Sequence, residues 1–365
     1  MTSRATFVVC LAVALFQPVL PVAGEDDPPP PAPESLAIPP APRLVLRGFG
    51  NVNYEVAGND GGNQFVLGEL DLFLTSQLTE DLSVLAEVAF EPQRGHEAVL
   101  DIERYQIKWS PSDLLNVAAG RMHTWVGYWN HTYHHGTWFQ VTAFRPLVYR
   151  FEDDGGILPL HEVGVQAMGT WAPASVAVQY SVSVTNGRGP TSGDVQSVYD
   201  ANRGKAVNLW AGVQPTAVLG LQLGGSLRFD TIPEDPDNAH RSGEMDESIQ
   251  AAFLSYDRAG IQILAEYVRL EHRENATGRS FVSRGLYVQG SVRLGRVRPY
   301  YRYDDLDRDQ DDPFYFSSDP SERKHTLGVR LDPWPWAGFM LEASHHDLRS
   351  DETFGSATAQ LAFTF

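Results

Sequence analysis

Residues 66–74 read VLGELDLFL, with an apolar residue or glycine at every even position and with Glu69 and Asp71 among the odd ones. Alternation with a period of two indicates a β-strand that has one apolar face. The same period returns along residues 82–91, 176–185 and 219–229, and few windows space their apolar residues as a helix does. The chain is therefore predicted to consist mainly of strands.

Counting such runs predicts sixteen strands, joined by tight turns after the even-numbered strands and by longer polar loops after the odd-numbered ones. Short connections on one side and long ones on the other are typical of outer-membrane barrels. We therefore expect an all-β, 16-stranded antiparallel transmembrane β-barrel with short periplasmic turns and long extracellular loops. The predicted strands lie near residues 44–56, 64–78, 82–92, 99–110, 115–123, 161–172, 174–186, 205–214, 218–230, 248–257, 260–272, 281–294, 297–305, 324–333, 337–347 and 355–365.

Two further features favour a barrel in the bacterial outer membrane. The last strand ends at Phe365, and a terminal phenylalanine on an alternating strand resembles the assembly signal of such barrels. Tryptophans also flank the short turns, where an aromatic girdle would meet the inner interface of the membrane. They are Trp109, Trp171, Trp210, Trp334 and Trp336.

The N-terminal residues indicate export. Residues 1–24 combine one arginine, a twelve-residue apolar run at 5–16 and a small-residue ending, which is typical of a signal peptide. The run is too short for a membrane-spanning helix, which needs about 20 residues. Residues 25–43 contain eight prolines, so a Pro-rich periplasmic spacer is expected before an outer-membrane barrel at 44–365.

The composition narrows the classes of partner. The 365 residues carry a formal net charge of −18, which argues against nucleic acid because phosphate contacts need clustered lysine and arginine. The single cysteine, Cys10, excludes disulfide scaffolds and zinc fingers. Acidic loops at 234–247 and 305–312 would form a rim that gathers divalent cations between lipopolysaccharide phosphates. Membrane lipid, lipopolysaccharide and small solutes or ions are the expected partners.

The strand register places charged side chains on the inner wall. A barrel of sixteen strands is wide enough for an aqueous channel, and wall charges are tolerated where they face water. Basic residues concentrate on the predicted strands 4–5 and 12–14 and acidic ones on strands 2–3, an arrangement that would set a transverse field across a constriction. The predicted pore-lining residues on the wall are Arg47, Glu69, Asp71, Glu87, Arg104, Lys108, Arg121, Arg298, Arg302 and Arg330.

Residues 124–160 form the longest loop, and they hold six aromatic residues between 125 and 139. Exposing so many aromatics to water is unfavourable, so this third loop is predicted to fold inward and narrow the channel. Imidazole is a common ligand of transition metals, and His123, His131, His134 and His135 offer four. His-x-x-His-His in a loop fixes no coordination geometry, however, so we favour packing and hydrogen bonding in the lumen, with no metal and no cofactor.

A family resemblance is carried by the stretches GELDLFLTSQLTEDLSVLAEVAFE (68–91), NVAAGRMHTWVGYWN (116–130) and RFEDDGGILPLHEVGVQAMG (150–169). They resemble the phosphate-selective porin O and P group and, more closely, its uncharacterised porin-like relatives. The resemblance implies a sixteen-stranded homotrimeric porin whose third loop folds into the channel, with Arg121 and Arg145 as the best candidates for an arginine eyelet.

The lysine ladder that the resemblance would imply is not expected here. The chain holds only Lys108, Lys205 and Lys324, so phosphate selectivity does not follow from the resemblance.

Two other functions were weighed against a porin. A lipase-like barrel hydrolase would need serine, histidine and an acid together, and Ser344, His346 and Asp347 lie near one strand end. Adjacent side chains on a strand point to opposite faces, however, and no Gly-x-Ser-x-Gly motif occurs. A structural or adhesin barrel would rest on the acidic loops alone. The sequence favours a non-enzymatic diffusion porin.

Overall fold

The computed structural model describes residues 44–58, 62–92, 98–134, 136–194, 199–241, 243–315, 321–350 and 352–365. The predicted signal peptide, the Pro-rich spacer and His135 lie outside the described residues.

Sixteen antiparallel strands form a closed barrel, which confirms the predicted fold class. Each strand pairs with its neighbours in the sequence, and β1 closes the barrel by pairing with β16. The strands are β1 (Leu44–Ala57), β2 (Asn63–Gln77), β3 (Leu82–Pro92), β4 (Ala98–Ser112), β5 (Leu115–His123), β6 (His161–Trp171), β7 (Val176–Thr185), β8 (Ala206–Pro215), β9 (Leu221–Ile232), β10 (Met245–Arg258), β11 (Ile261–Glu274), β12 (Ser280–Val292), β13 (Val297–Asp307), β14 (Glu322–Trp334), β15 (Ala337–Leu348) and β16 (Glu352–Thr364).

The helical segments of the described chain all lie in the third loop, residues 124–160, which we call L3. They are α1 (Trp129–Tyr133) and two short 3₁₀ turns, Leu147–Tyr149 and Glu152–Asp154. Among the described residues, no helix is both long and apolar enough to cross a membrane.

The connections differ between the two ends of the barrel, although less regularly than the sequence predicts. Two to five residues follow each even-numbered strand before the next begins. Long loops follow β5, β7, β9 and β13, whereas only three to five residues follow β1, β3, β11 and β15. The prediction of long loops after the odd-numbered strands is therefore correct for four of the eight connections on that side, and the other four are short.

The pleat of the strands places apolar side chains outside and polar ones inside. On β4, for example, Leu100, Ile102, Tyr105 and Ile107 are exposed on the outer face. In β2 a bulge shifts the alternation of inward and outward side chains by one residue, because Gly50 pairs with Leu70 while Val52 pairs with Leu67. The alternation of residues 66–74 is therefore interrupted at 68–69, and Glu69 and Asp71 keep their inward direction.

The aromatic girdle is smaller than predicted. Trp109, Trp171, Trp334 and Trp336 are about half exposed beside the short turns, as expected for an interfacial belt. Trp210 is wrong as a girdle residue: it is buried, and its indole Nε1 donates to the Gly127 carbonyl of L3, 2.7 Å away. It occupies an inward position of β8, where its indole supports the loop instead of meeting lipid.

Candidate functional site: the channel and its third loop

L3 folds into the barrel from a closed neck, as the sequence predicts. The backbone N–H of Thr124 donates to the Leu160 carbonyl at 3.0 Å. The Asn130 side-chain amide donates to the carbonyls of Thr124 and Leu160 at 2.9 and 3.0 Å. One asparagine therefore ties both ends of a 37-residue loop and fixes where α1 enters the lumen.

Glu266 on β11 is the first anchor of L3. Its carboxylate accepts the backbone N–H groups of Tyr128 and Trp129 at 2.6 and 2.9 Å, at the start of α1. It also accepts the hydroxyls of Tyr149 and Tyr287. Four donors around one buried carboxylate satisfy both oxygens, which is what allows a charge to lie in a dry site.

Arg302 and Asp304 on β13 form the second anchor. The Arg302 guanidinium donates to the hydroxyl of Thr142 and to the carbonyls of Phe144 and Arg145 at 2.8 to 3.1 Å. Asp304 accepts from Arg302 and from the backbone N–H of Leu147. Arg302 is fully buried, so this predicted pore-lining residue holds the loop instead of facing the opening.

Glu342 and Arg330 extend the attachment toward β14 and β15. Glu342 accepts the Ala143 N–H at 2.7 Å and the Tyr300 hydroxyl at 2.9 Å. Arg330 donates to the Trp138 and Gln140 carbonyls and pairs with Asp332 on its own strand. A second predicted pore-lining arginine is thus bound mainly to L3.

Apolar packing covers the wall between these anchors. Inward side chains of β9–β13 form one buried cluster with L3 and with Phe314 and Tyr315 of the loop after β13. The inner wall of this half of the barrel is therefore a protein core and not a water-lined surface. The members of the cluster on L3 are Val126, Trp129, Leu147, Val148, Tyr149, Ile157, Leu158 and Leu160.

Open space remains in other parts of the lumen. A cavity of about 360 Å³ lies between L3 and the wall made by β1, β2 and β14–β16, with Glu55, Glu69, Arg150 and Lys324 among its lining side chains. Toward the short turns, a second cavity of about 320 Å³ is bordered by Arg293, Arg298, Arg330 and Asp332. A third, of about 440 Å³, is bordered by residues of β1–β4 that include Lys108.

The remaining predicted residues occupy three kinds of environment. Arg104 of β4 is paired with Glu87 of β3, so these opposite charges neutralise each other locally. Asp71 and Arg121 are buried on the inner wall, and Glu103, Asp101 and Glu152 surround Arg121. The exposed or half-exposed inward groups are Arg47, Glu69, Lys108 and Arg298.

The L3 residues predicted for the constriction mostly pack within the loop. The guanidinium of Arg145 lies 3.7 Å from the Phe151 ring centroid and donates to the His134 and Tyr149 carbonyls. His131 stacks on Trp125, with ring centroids 4.3 Å apart. Burial lowers the pKa of His131 to about 3, so this imidazole is neutral at pH 7 and adds no charge to the channel.

Several functional side chains were not singled out from the sequence. Glu266 and Glu342 are recognisable only as inward charges, and Glu266 stands between the apolar neighbours Leu264 and Val268 on the inner face of β11. A carboxylate among inward apolar residues indicates that another segment of the chain packs over it and supplies hydrogen-bond donors, since a buried charge without them is unfavourable.

Comparison with known structures places the barrel in a class. It is similar to the anion-selective porin from Comamonas acidovorans, with a TM-score of 0.63 at 11% identity over 89% of this chain and 100% of that one. The channel DcaP of Acinetobacter baumannii gives 0.59 at 13% identity over 89% and 97%. The trimer form of OmpT, an outer membrane protein of Vibrio cholerae, gives 0.60 at 12% identity over 89% and 100%.

The chain has a porin-like fold. No protein-family model matches the sequence, and no curated protein matches it. At these identities the likeness is one of architecture alone, and the evidence on function lies in the lumen of this barrel.

Proposed function

We propose that this porin-like barrel is a diffusion porin of the bacterial outer membrane, without enzymatic activity, which passes small hydrophilic or ionic solutes. One observation carries the proposal: L3 is anchored along the wall of β9–β13, while a cavity of about 360 Å³ with charged lining residues borders its other side. A loop fixed on one side of a lumen narrows the channel without filling it. The proposed membrane partners are lipid around the apolar exterior and lipopolysaccharide at the loops.

The charges that remain in the open lumen favour anions. Several wall carboxylates are occupied away from the opening: Glu266 and Glu342 accept hydrogen bonds from L3, and Glu162 pairs with Arg228. Arg47, Lys108 and Arg298 face the lumen nearer the short turns, and none of them forms an ion pair with a described carboxylate. Fixed positive charge in a narrow aqueous path raises the local anion concentration.

Single-channel recording of the purified protein in a planar lipid bilayer tests this function. We expect steady ohmic steps, and a reversal potential under a KCl gradient whose sign indicates chloride preference. A folded barrel that inserts but carries no current would contradict the porin, and a cation-selective channel would contradict the anion preference alone.

Family and assembly are narrower proposals. The sequence resemblance favours the phosphate-selective O and P group or its relatives, and a trimer is supported by the trimeric form of the similar Vibrio cholerae protein. Light scattering of the detergent-solubilised protein, with the micelle contribution subtracted, tests the trimer. A monomeric mass at micromolar protein concentration would contradict it.

A second candidate, a barrel hydrolase, is favoured by one hydrogen-bonded chain. His346 contacts the Ser356 hydroxyl through Nε2 at 2.8 Å and Glu322 through Nδ1 at 2.7 Å, the connectivity of a serine–histidine–acid triad. Ser344, the serine named from the sequence, instead contacts Thr326. His346 and Ser356 also border the cavity of about 360 Å³.

The Ser356–His346–Glu322 hydrogen bonds also help to anchor L3, because Arg150 of the loop pairs with Glu322 at 2.6 Å. Hydrolysis of a p-nitrophenyl ester separates the two roles. A hydrolase requires turnover that Ser356→Ala abolishes and Ser344→Ala retains, whereas an anchoring role leaves all three proteins without turnover.

A further inference from the structure

Four side chains that can bind a metal meet at the root of L3. Glu103 lies on β4, His123 ends β5, His134 directly follows α1, and His161 begins β6. One nitrogen or oxygen atom from each lies within 4.8 Å of the corresponding atoms of the other three. Glu103, His123 and His134 are buried, and the side chain of His161 is only 3% exposed.

The backbone of β4 is shaped to bring Glu103 into this cluster. Arg104 pairs with Glu87, and Ile102 pairs with Val88, so Glu103 is the extra residue of a β-bulge. The bulge lets the consecutive residues 103 and 104 both face the lumen, while Ile102 and Tyr105 stay outside. Bulges that re-aim one side chain are common next to functional sites.

The hydrogen bonds of Asn130 orient His134 as a ligand. The Asn130 Nδ2 group donates to two carbonyls at the L3 neck, so its Oδ1 faces His134 Nδ1 at 2.6 Å as an acceptor. His134 must then carry its proton on Nδ1, which assigns the lone pair to Nε2. That Nε2 lies 3.9 Å from the Glu103 carboxylate. Two ligands of one ion with bonds of about 2.0–2.1 Å are roughly 3–4 Å apart, so this pair has a ligand-like spacing. His161 Nε2 instead forms a direct ion pair with the Glu103 carboxylate, a contact that must lengthen when both groups bind an ion.

We propose that Glu103, His123, His134 and His161 bind one divalent transition-metal ion of the zinc class. Three imidazoles and one carboxylate form the donor set that such ions prefer, whereas magnesium and calcium take mainly oxygen ligands. A hydrogen bond donated by the non-ligating nitrogen, as His134 Nδ1 makes to Asn130 Oδ1, is the usual support of a metal-bound histidine. Four protein ligands make the site a structural one.

The arginines near the cluster are bound to other groups. Arg104 is paired with Glu87, whose carboxylate also lies 3.7 Å from His123 Nε2. Arg121 is surrounded by Asp101 and Glu152 as well as by Glu103. Arg145 donates to the His134 and Tyr149 carbonyls, and Arg188 pairs with Glu152. Each guanidinium group near the cluster thus has partners of its own.

The ion would join L3 to the strands at its neck. His134 also borders the cavity of about 360 Å³, which gives the ion a path from the lumen. His123 and His161 belong to the strands on either side of the neck, while His134 belongs to the loop. A metal bond here would clamp L3 to β4–β6, the side opposite its anchor at Glu266. The proposed metal site does not depend on whether solutes pass through the barrel.

Zinc binding by the full-length protein in detergent tests the site. The protein is first stripped with EDTA, then incubated with Zn²⁺ and desalted. We expect about one Zn²⁺ per chain to be retained, as measured by elemental mass spectrometry. His161→Gln and Glu103→Gln should each weaken Zn²⁺ binding at least about tenfold, because even the loss of a residue that only hydrogen-bonds to a ligand typically costs that much. His240→Gln, at an exposed position of the loop after β9, and His131→Gln should bind as the wild type does.

Absorption spectroscopy with Co²⁺ keeps the test decisive if a variant fails to fold. The wild-type protein should give the intense visible bands of four-coordinate cobalt, and these should disappear on adding one equivalent of Zn²⁺. The proposal is overturned if the wild type retains no zinc. It is equally overturned if folded His161→Gln retains as much as His240→Gln, because the ion then lies elsewhere.

Discussion

The two halves of the barrel interior differ in whether L3 covers the inward side chains of the wall. Along β9–β13, inward side chains form a dry core with L3, and charges such as Glu266 and Arg302 are fully used in holding it. Along β1–β4, inward charges such as Lys108 border open cavities. Inward and outward side chains alternate in both halves, so an inward charge lines the channel only where L3 leaves it uncovered.

The largest effect should come from the anchor of the dry half. Glu266→Ala leaves two backbone N–H groups of L3 and the Tyr149 and Tyr287 hydroxyls without their acceptor. Removing one partner of such a buried network costs about 3–5 kcal/mol. We expect that loss in the free energy of unfolding, measured with urea in detergent micelles.

Glu271→Ala is the matched control on the same strand. Glu271 lies on the outer face and pairs with Arg269 at 2.8 Å, with both side chains about one-third exposed. Surface pairs of this kind contribute about 0–1 kcal/mol. Equal destabilisation by the two variants would contradict the anchoring role of Glu266.

The comparison also separates what the sequence predicts from what it does not. All sixteen strands follow from a period of two, because the pleat acts within each strand. The anchors do not, since Tyr128 and Glu266 are 138 residues apart and nothing local pairs them. From the sequence, His123, His131, His134 and His135 are expected to pack in the lumen without a metal, whereas the structure joins His123 and His134 to Glu103 and His161. Only the β4 bulge and the β5–β6 pairing bring those two residues into reach.

A smaller loss should follow from crowding the contact between L3 and β12. A Cβ atom added at Gly285 would lie 2.3 Å from Val148 Cγ2, so Gly285→Ala must displace L3. Overpacking of this kind costs about 1–3 kcal/mol. We expect that loss in urea unfolding, together with noisier single-channel current. Gly290→Ala on the same strand, where an added Cβ meets nothing within 4 Å, should change neither quantity.

The dry environment of His131 should make stability depend on pH. Burial lowers its pKa to about 3, so below about pH 6.5 the unfolded chain binds a proton that the folded chain does not. Stability must then fall as the pH falls from about 6.5 toward 3. We expect His131→Gln to remove about 1 kcal/mol of this loss at pH 5.5. Parallel stability curves for the two proteins between pH 7.5 and 5 would show that His131 is in contact with water.

The smallest effect in free energy should be on ion selectivity, and it belongs to the part of the wall that L3 leaves uncovered. Lys108 and Arg298 face the lumen without a described acidic partner, so reversing both charges changes the potential along the path of a permeating ion. We expect Lys108→Glu with Arg298→Glu to change the chloride-to-potassium permeability ratio roughly two- to threefold toward potassium. Arg284→Glu reverses a charge on the outer face, where the side chain is 50% exposed, and should leave the ratio unchanged. If the outer-face variant shifted the reversal potential as much as the inner pair, selectivity would be set by the overall charge of the protein. The distinction between covered and uncovered wall would then have no consequence for permeation.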